Sequence, residues 1–423
     1  MPVQPRVAGA RILLAFALAC FAAAAIVNPW IAAWRSGDAV IDRIDVLSAF
    51  VGWALGLGGV ALGLAWRIAR GPSLADQLAL LFVLVALGIL GDRWLLTRSG
   101  LPLWQYDAEL GYRHRPNAVR TLAGVNRPHD LVRINALGFH DTDFSREKPD
   151  GELRILALGD SITMGYGVIY DETFSAALER RLGSIDSTHK SFQVINAGVH
   201  GYSTYHERVL LERSFDLAPD LILVGFCLND VTEPFVVDEA HGGTGLDYHG
   251  VTQTPNPLSG WLANETGIGR WLQSRIAHAK SLEAEKRLEV YNVRRMAEES
   301  RTDPRMIEAW RIVLGQLDEI DKLAREHDVP LLLVVFPFTF QLPDATLREP
   351  QRILAEHAGA LGMNILDLTD TFAAAVQDGA QPSEARVDAY FFDEDHLTPL
   401  GHELVATRLI AYFAEHRLLE RGR

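Results

Sequence analysis

The chain has 423 residues, of which 48% are hydrophobic, and a formal net charge of -14 at pH 7. This apolar content exceeds what a freely soluble protein needs, which indicates that part of the chain lies in lipid. The acidic balance argues against a nucleic-acid partner, because proteins that bind phosphate backbones usually carry basic patches. The two cysteines, Cys20 and Cys227, are too few for a disulfide framework or a cysteine-rich zinc site.

Residues 1–98 are expected to form a membrane region with about three transmembrane helices. The candidate helices are 12–34, 46–66 and 74–96. The first two carry no charged residue over the roughly 20 positions that a spanning helix needs, whereas the third reaches that length only by including Asp92 and Arg93. A re-entrant or interfacial helix is the alternative for the third stretch, and a signal peptide is the alternative for the first.

The distribution of arginines predicts that the N-terminus faces the cytoplasm. Arginines expected on the cytoplasmic side slightly outnumber those expected outside: Arg6, Arg11, Arg67 and Arg70 against Arg35, Arg43 and Arg98. With three crossings, everything after about residue 100 lies outside the cytoplasm, in the periplasm of a cell that has one. Two crossings would place it inside. The expected location is the inner membrane, as a multi-pass protein.

Residues 151–423 alternate strand-like apolar runs with amphipathic helical stretches, which predicts an α/β domain with a parallel sheet. The candidate strands are 153–158, 192–195, 221–226, 330–336 and 363–366, and 305–326 is a candidate helix. Residues 99–150 form a loop-rich lead-in that is expected to pack beside the sheet. An insertion at about 235–300 contains a helical stretch over 281–295, and either shapes a pocket or partner surface or is a solvated decoration.

Four short blocks carry residues suited to acyl transfer. They are Gly159-Asp160-Ser161 with Thr163, Gly165 and Gly167; Asn196 to Gly201; Asn229-Asp230; and Asp393 with His396, followed by Thr398 and Pro399 as a helix N-cap and first helical residue. The first three blocks follow predicted strands. Because open parallel sheets place ligands at the carboxyl ends of their strands, the blocks are expected to meet at one edge.

A serine hydroxyl needs a base within hydrogen-bond reach and a third group that orients the base. Ser161, His396 and Asp393 can fill these places, since a three-residue spacing sets the aspartate and the histidine on one side of a turn. The loops of the second and third blocks supply a glycine N–H and an asparagine amide for a developing oxyanion. Each block alone also fits an ordinary turn or cap, but their coincidence favours chemistry. No metal-ligand spacing is present, so no metal or cofactor is expected.

These blocks resemble those of the SGNH or GDSL hydrolase superfamily, over residues 153–416. The resemblance implies a flavodoxin-like three-layer α/β/α sandwich and an acyl-enzyme mechanism. The roles that it implies are these: Ser161 is the nucleophile and one oxyanion donor, Gly201 (or Gly198) and Asn229 are the other donors, His396 is the base, Asp393 orients it, and Gly159, Asp160 and Asp230 support the loops. Cys227 departs from the pattern, because the family usually has glycine there; packing is its expected role.

The resemblance implies attack on an ester carbonyl, and a membrane anchor suggests an acyl ester, most simply an O-acetyl ester, of an envelope carbohydrate or lipid. An O-acyltransferase would use the same acyl-enzyme with a sugar hydroxyl as acceptor, but it would need a membrane partner that delivers acyl groups. The esterase is therefore favoured. A non-catalytic binding or assembly module of the envelope is a further alternative, against which the intact Ser161, Asn229 and His396 argue.

Overall fold

The computed structural model describes residues 103–107, 109–121, 131–232, 235–236, 247–248, 266, 282–378, 381–382 and 384–420, together with residues 88 and 91. Apart from the last two, these residues fall in one compact unit, Gly100–Arg423. The predicted transmembrane stretches 12–34, 46–66 and 74–96 lie outside the described residues, except for the isolated positions 88 and 91. In the part of the chain that is described, no helix combines the length and the apolar character needed to cross a membrane.

The described strands form one central sheet and several short pairs. In chain order they are β1 (Trp104–Asp107), β2 (Gly111–His114), β3 (Val119–Thr121), β4 (Leu131–Arg133), β5 (Glu152–Gly159), β6 (Ser191–Asn196), β7 (Leu221–Phe226), β8 (Phe235–Val236), β9 (Asp247–Tyr248), β10 (Leu331–Val335), β11 (Asn364–Asp367), β12 (Gln377–Asp378) and β13 (Gln381–Pro382). The pairs β1–β2, β3–β4, β8–β9 and β12–β13 are antiparallel.

The described helices follow the same chain order. They are α1 (Ser161–Met164), α2 (Phe174–Leu182), α3 (Thr204–Glu212), α4 (Asn229–Thr232), α5 (Leu282–Glu299), α6 (Pro304–Glu326), α7 (Glu349–Leu361), α8 (Thr369–Ala375), α9 (Glu384–Tyr390) and α10 (Pro399–His416). The helix predicted over 305–326 is confirmed as α6. It begins at Pro304 because the carboxylate of Asp303 accepts the N–H of Arg305 at 2.8 Å, and proline is favoured in the first turn of a helix.

The central sheet has five parallel strands in the order β11-β10-β7-β5-β6. All five predicted strands are confirmed, with ends that differ by at most one residue. Every residue of β7 and β10 is buried, as expected for strands that are covered by helices on both faces. Within this sheet, β5 comes first in the chain and lies second from one edge, which is the flavodoxin-like strand order.

Helices cover both faces of the sheet. The connection from β5 to β6 and the connection from β6 to β7 run across the sheet in opposite directions. Because such crossovers are right-handed, their helices α2 and α3 lie on opposite faces. Helix α10 packs against α2, and α6 packs against α3, which completes the two outer layers. The predicted three-layer α/β/α arrangement is therefore present.

Arg154 ties the lead-in to the sheet. Its guanidinium is fully buried and donates to the carbonyl oxygens of Ser145 at 2.9 Å, Arg146 at 3.0 Å and Leu217 at 2.8 Å. Its positive charge is balanced by Glu152, whose Oε1 lies 2.7 Å from Nη2. The lead-in is thus integrated in the domain rather than appended to it. The strand pairs β1–β2 and β3–β4 within it were not predicted.

The helical stretch predicted within the insertion is observed as α5. This helix continues four residues beyond the predicted end and packs against α4, the short helix that begins with Asn229. Val293 and Met296 are completely buried, so the end of the insertion contributes to the hydrophobic core.

Candidate active site

The first block owes its shape to two glycines on neighbouring strands. Gly159 ends β5 with a φ of +153° and pairs with Gly225 of β7. A Cβ atom at Gly159 would lie 2.1 Å from Thr163 Oγ1, and one at Gly225 would lie 2.3 Å from the same oxygen. The turn therefore requires glycine at both positions, so that the buried Thr163 can fold back over the strand ends and place Ser161 at the start of α1.

Ser161, His396 and Asp393 form a continuous chain of hydrogen bonds. Ser161 Oγ lies 2.9 Å from His396 Nε2, and His396 Nδ1 lies 2.8 Å from Asp393 Oδ2. The other oxygen of Asp393, Oδ1, accepts the backbone N–H of His396 at 2.9 Å and that of Asp395 at 3.1 Å. The aspartate thus holds both the ring and the backbone of the histidine, which fixes the direction in which Nε2 points. The structure brings these three predicted residues together.

The loop that carries His396 is closed on itself before α10 begins. The N–H of Phe392 donates to the carbonyl of His396 at 2.8 Å, and Phe391 and Leu397 form an isolated antiparallel bridge. Thr398 accepts the N–H of Gly401 at 3.2 Å, and Pro399 is the first residue of α10, so the predicted cap is confirmed. The cap anchors the loop to the longest helix of that face of the sheet.

Gly198 and Gly201 are the two candidate oxyanion donors of the second block, and the N–H of Gly198 is already engaged. The N–H of Gly198 donates to Asn196 Oδ1 at 3.1 Å, and a Cβ there would lie 2.2 Å from the backbone nitrogen of Met164. Gly198 is therefore a packing position against α1. Gly201 has a φ of +75°, in the left-handed region that favours glycine. The engaged N–H makes Gly198 the weaker candidate, and the oxyanion role of Gly201 stays a prediction.

Asn229 is the first residue of α4 and is 3% exposed. Its side chain hydrogen-bonds to the carboxylate of Asp160, the residue before the serine. The next residue, Asp230, accepts the N–H of Cys227 at 3.2 Å through Oδ2 and holds the turn in place. Burial raises the pKa of the Cys227 thiol well above its usual range, so this residue is a neutral packing group.

Asp160 is the N-cap of α1 and is buried. Its Oδ1 accepts the N–H of Ile162 at 2.9 Å. The pKa of Asp160 is raised to about 6, chiefly by its complete burial and in addition by the negative charge of Asp395, whereas the hydrogen bonds from Ile162 and Asn229 and the charge of His396 oppose the rise. The predicted supporting role of Asp160 thus takes the form of an N-cap that also contacts the third block.

Two buried residues of the lead-in, neither of them predicted as a site residue, hold the first two blocks. His140 Nδ1 lies 2.7 Å from the carbonyl oxygen of Met164 at the end of α1. Asp141 Oδ2 accepts the N–H of Asn196 at 3.1 Å, and burial raises the pKa of this carboxyl to about 7. Both residues therefore bond to the segments that carry Ser161 and Gly201.

An aromatic side chain lies against the imidazole of His396. The ring centroid of Tyr166 is 4.5 Å from that of His396 and 5.3 Å from that of His200. Tyr166 is 42% exposed, whereas all four residues of α1 that precede it in this block are buried. Tyr166 was not predicted as a site residue. The available signal was an aromatic residue between two glycines, five positions after the serine.

The side chains of Asp393, Asp395 and His396 have ligand atoms within 4.8 Å of one another, a spacing that a metal ion would accept. Both ring nitrogens of His396 are already engaged, Nδ1 with Asp393 and Nε2 with Ser161. A metal would have to displace one of these contacts. The arrangement fits proton transfer between the serine and the imidazole better than metal binding.

The described domain therefore combines a flavodoxin-like parallel sheet with a serine, a histidine and an aspartate at one edge, which is the arrangement of a serine acylhydrolase. The GDSL-like lipase/acylhydrolase family model matches residues 157–404, more than half of the chain. The chain belongs to this family. No curated protein matches the chain.

Several solved structures are similar to this chain at low identity. A member of the lipolytic G-D-S-L family from Veillonella parvula is 16% identical, with a TM-score of 0.36 over 62% of this chain and 98% of the other. A catalytic mutant of an acetylxylan esterase from Geobacillus stearothermophilus is 13% identical, with a TM-score of 0.37 over 61% and 93%. A lipase/acylhydrolase from Enterococcus faecalis is 14% identical, with a TM-score of 0.35 over 62% and 96%. These similarities are too distant to indicate a substrate.

Proposed function

We propose that the protein is a serine esterase that removes acyl groups, O-acetyl groups in particular, from an ester of an envelope carbohydrate or lipid. The observation that carries this proposal is the chain of hydrogen bonds from Ser161 Oγ through His396 to Asp393, with distances of 2.9 and 2.8 Å. A serine hydroxyl paired in this way is activated for attack on a carbonyl carbon.

The first half of the reaction forms the acyl-enzyme. Ser161 Oγ bonds to the carbonyl carbon while His396 Nε2 takes the hydroxyl proton, and Asp393 stabilises the resulting imidazolium. The negative charge moves to the carbonyl oxygen, where the N–H groups of Ser161 and Gly201 and the side-chain amide of Asn229 stabilise it. The bond to the alcohol oxygen then breaks, and His396 gives its proton to that oxygen.

The second half of the reaction regenerates the serine. Water gives a proton to His396 Nε2 and bonds to the acyl carbon, and the bond to Ser161 Oγ breaks. The proton returns to Ser161, and the carboxylic acid leaves. The products are the free alcohol and the acid, so no further reactant is needed.

The burial of the site supports a small acyl group. Ser161 is 3% exposed, Asn229 is 3% exposed and His396 is 7% exposed. These three residues have little exposed surface, and an acetyl group is among the smallest of the common acyl groups.

We place the domain outside the cytoplasm, on a multi-pass anchor in the inner membrane. This placement rests on the three apolar stretches of the sequence and on the arginines beside them. A pair of reporters fused after residue 423 tests it. Alkaline phosphatase, which is active only outside the cytoplasm, should be active, and a reporter that is active only in the cytoplasm should be silent. The reverse pattern would contradict the placement.

Release of acetate from a panel of acetylated glycans and acetylated lipids tests the activity, with and without sugar acceptors. The wild-type protein should release acetate, and Ser161→Ala should release none. Ser184→Ala, which removes an exposed hydroxyl after α2, is the matched control and should match the wild type. Acetate release that survives in Ser161→Ala, or none from the wild type, would overturn the proposal. Transfer to an added sugar in preference to water would indicate a transferase instead.

A further inference from the structure

Tyr166 is fixed directly to the backbone of the serine. Its N–H donates to the carbonyl oxygen of Ser161 at 2.9 Å. It lies between Gly165 and Gly167, which have φ values of +84° and +87°. These left-handed residues turn the chain sharply after the buried helix α1. The exposed tyrosine ring is therefore held in a defined place rather than on a loose loop.

The tyrosine belongs to a row of rings that ends at His396. Tyr166 lies nearly parallel to His200, with an interplanar angle of 23°, and the centroid of His200 is 6.3 Å from that of Trp104. The carbonyl of His200 accepts the hydroxyl of Tyr112 at 2.7 Å, which fixes the backbone of this segment. We call Trp104, His200 and Tyr166 the aromatic row.

The proton transfer from His396 to the leaving alcohol determines which part of a substrate lies near the aromatic row. His396 Nε2 must give its proton to the oxygen of the departing alcohol, so that oxygen must come within hydrogen-bond distance of the imidazole. The carbon skeleton of the alcohol then extends past the ring of His396. Tyr166 packs against that ring with a centroid separation of 4.5 Å. The alcohol half of the ester is therefore the half that meets Tyr166.

The composition of the row fits a sugar better than an alkyl chain. The faces of aromatic rings carry partial negative charge, which attracts the C–H groups on the face of a pyranose. The phenol hydroxyl of Tyr166, which is 42% exposed, is a hydrogen-bonding group at the ring edge, where the hydroxyls of a sugar project. A long alkyl chain would meet this polar group without satisfying it.

We propose that Tyr166, with His200 beside it, forms the subsite for the sugar ring that carries the ester and departs as the alcohol. The inference rests on the proposed esterase function and specifies its substrate as an acylated carbohydrate. Tyr166 acts by positioning the leaving group and takes no part in proton transfer.

Esters that share the acetyl group and differ in the alcohol test the subsite. We would measure kcat and KM for a mono-acetylated methyl pyranoside, for ethyl acetate and for hexadecyl acetate in detergent micelles. In Tyr166→Ala, kcat/KM for the pyranoside should fall about tenfold or more, mainly through KM, which is the size expected for loss of one aromatic stacking contact. Its kcat/KM for ethyl acetate should fall by a clearly smaller factor, because this ester has no sugar ring that could contact Tyr166. Tyr166→Phe, which keeps the ring, should retain most activity on the pyranoside.

Tyr291→Ala is the matched control, because Tyr291 on α5 is 58% exposed. It should behave as the wild type with all three esters. An equal loss on the pyranoside and on ethyl acetate in Tyr166→Ala would show that the ring only supports His396, and would overturn the sugar subsite. A loss confined to hexadecyl acetate would show a lipid subsite and would also overturn it, as would no loss on any ester. If the wild type hydrolyses none of the esters, the proposed function itself fails.

Discussion

The hydroxyl oxygen of Ser161 lies 2.9 Å from Nε2 of His396, although 235 residues separate them in the chain. This contact forms between a residue that follows a strand and a residue that precedes a helix. Ser161 follows β5, the second strand from one edge of the sheet, and His396 precedes α10, which packs on the same face as α2. The loop geometry at both ends is set by caps, Asp160 for α1 and Thr398 for α10.

Asp393 and Asp395 should differ strongly in their effect on catalysis. Asp393 Oδ2 is 2.8 Å from His396 Nδ1, whereas Asp395 Oδ1 is 3.5 Å away. Asp393→Asn should lower kcat by about 10⁴, because an amide favours the wrong tautomer of the imidazole. Asp395→Asn should cause a much smaller loss. Steady-state kinetics on 4-nitrophenyl acetate, with thermal melts to verify folding, provide the measurement, and equal losses would contradict the assignment of the aspartate.

Removal of the Asn229 amide should affect the transition state more than substrate binding. In Asn229→Ala, kcat should fall by about 10² to 10³ with little change in KM, as expected for loss of one oxyanion donor. Asn364→Ala is the control, because Asn364 lies at the amino end of β11 and its amide bonds to the carbonyl of Leu331 at 3.0 Å. Its kcat should stay at the wild-type value. A change in KM alone for Asn229→Ala would show that the amide binds substrate without stabilising the oxyanion.

Glu207 should make the folded domain less stable as the pH rises. The carboxyl of this residue on α3 is completely buried, and neither oxygen has a hydrogen-bond partner among the described residues. Burial, and then the charge of Asp160, raise its pKa well above 4.5. The unfolded chain loses this proton near pH 4.5, whereas the folded chain keeps it, so stability falls as the pH rises from there toward the folded pKa.

Glu207→Gln removes that titration. Its melting temperature should therefore fall less between pH 5 and pH 8 than that of the wild type, as measured by scanning calorimetry at both pH values. Asp160 and Asp141 titrate in both proteins, so the difference between the two proteins reports mainly Glu207. Parallel pH dependence of the two melting temperatures would contradict the burial of an uncompensated carboxyl.

Arg154 should be far more important for stability than its neighbour Arg146. Arg154→Met leaves the buried carbonyl oxygen of Leu217 and the partly buried one of Ser145 without this donor and Glu152 without its ion-pair partner, and should cost about 3 kcal/mol of unfolding free energy. Arg146→Met removes only an exposed pair with Asp216 and should cost less than about 1 kcal/mol. Urea denaturation measures both values. Similar losses would show that the lead-in is not held through Arg154.

Most of the central sheet was predictable because its strands are continuous apolar runs. Ile155 to Leu158 and Leu221 to Val224 are almost wholly buried. Because both faces of these strands are covered, their sequences are continuously apolar and can be recognised as strands. The strands β1 to β4 have no such pattern, because each has only three or four residues of mixed polarity. They are stabilised by distant contacts, such as the hydroxyl of Tyr202 that donates to the carbonyl of Tyr112 at 2.7 Å.

The candidate site likewise contains residues that could be predicted from the sequence and residues that could not. Ser161, His396 and Asp393 were predictable because their chemistry requires a base and an orienting carboxylate at particular spacings. The choice between Gly198 and Gly201 needed the structure, since it depends on which N–H is already bonded to Asn196. Tyr166 and His200 were not predicted as site residues, because only the fold places the ring of Tyr166 beside His396 and the ring of His200 beside Tyr166.

Covalent capture of the nucleophile tests the central claim most directly. The full-length protein, treated with a fluorophosphonate and analysed by peptide mass spectrometry, should carry the phosphonate on Ser161 and on no other serine. Ser161→Ala should remain unmodified, and His396→Ala should react far more slowly, because the hydroxyl has lost the base 2.9 Å away. A phosphonate on a different serine, or a wild-type protein that stays unmodified while folded, would contradict the account.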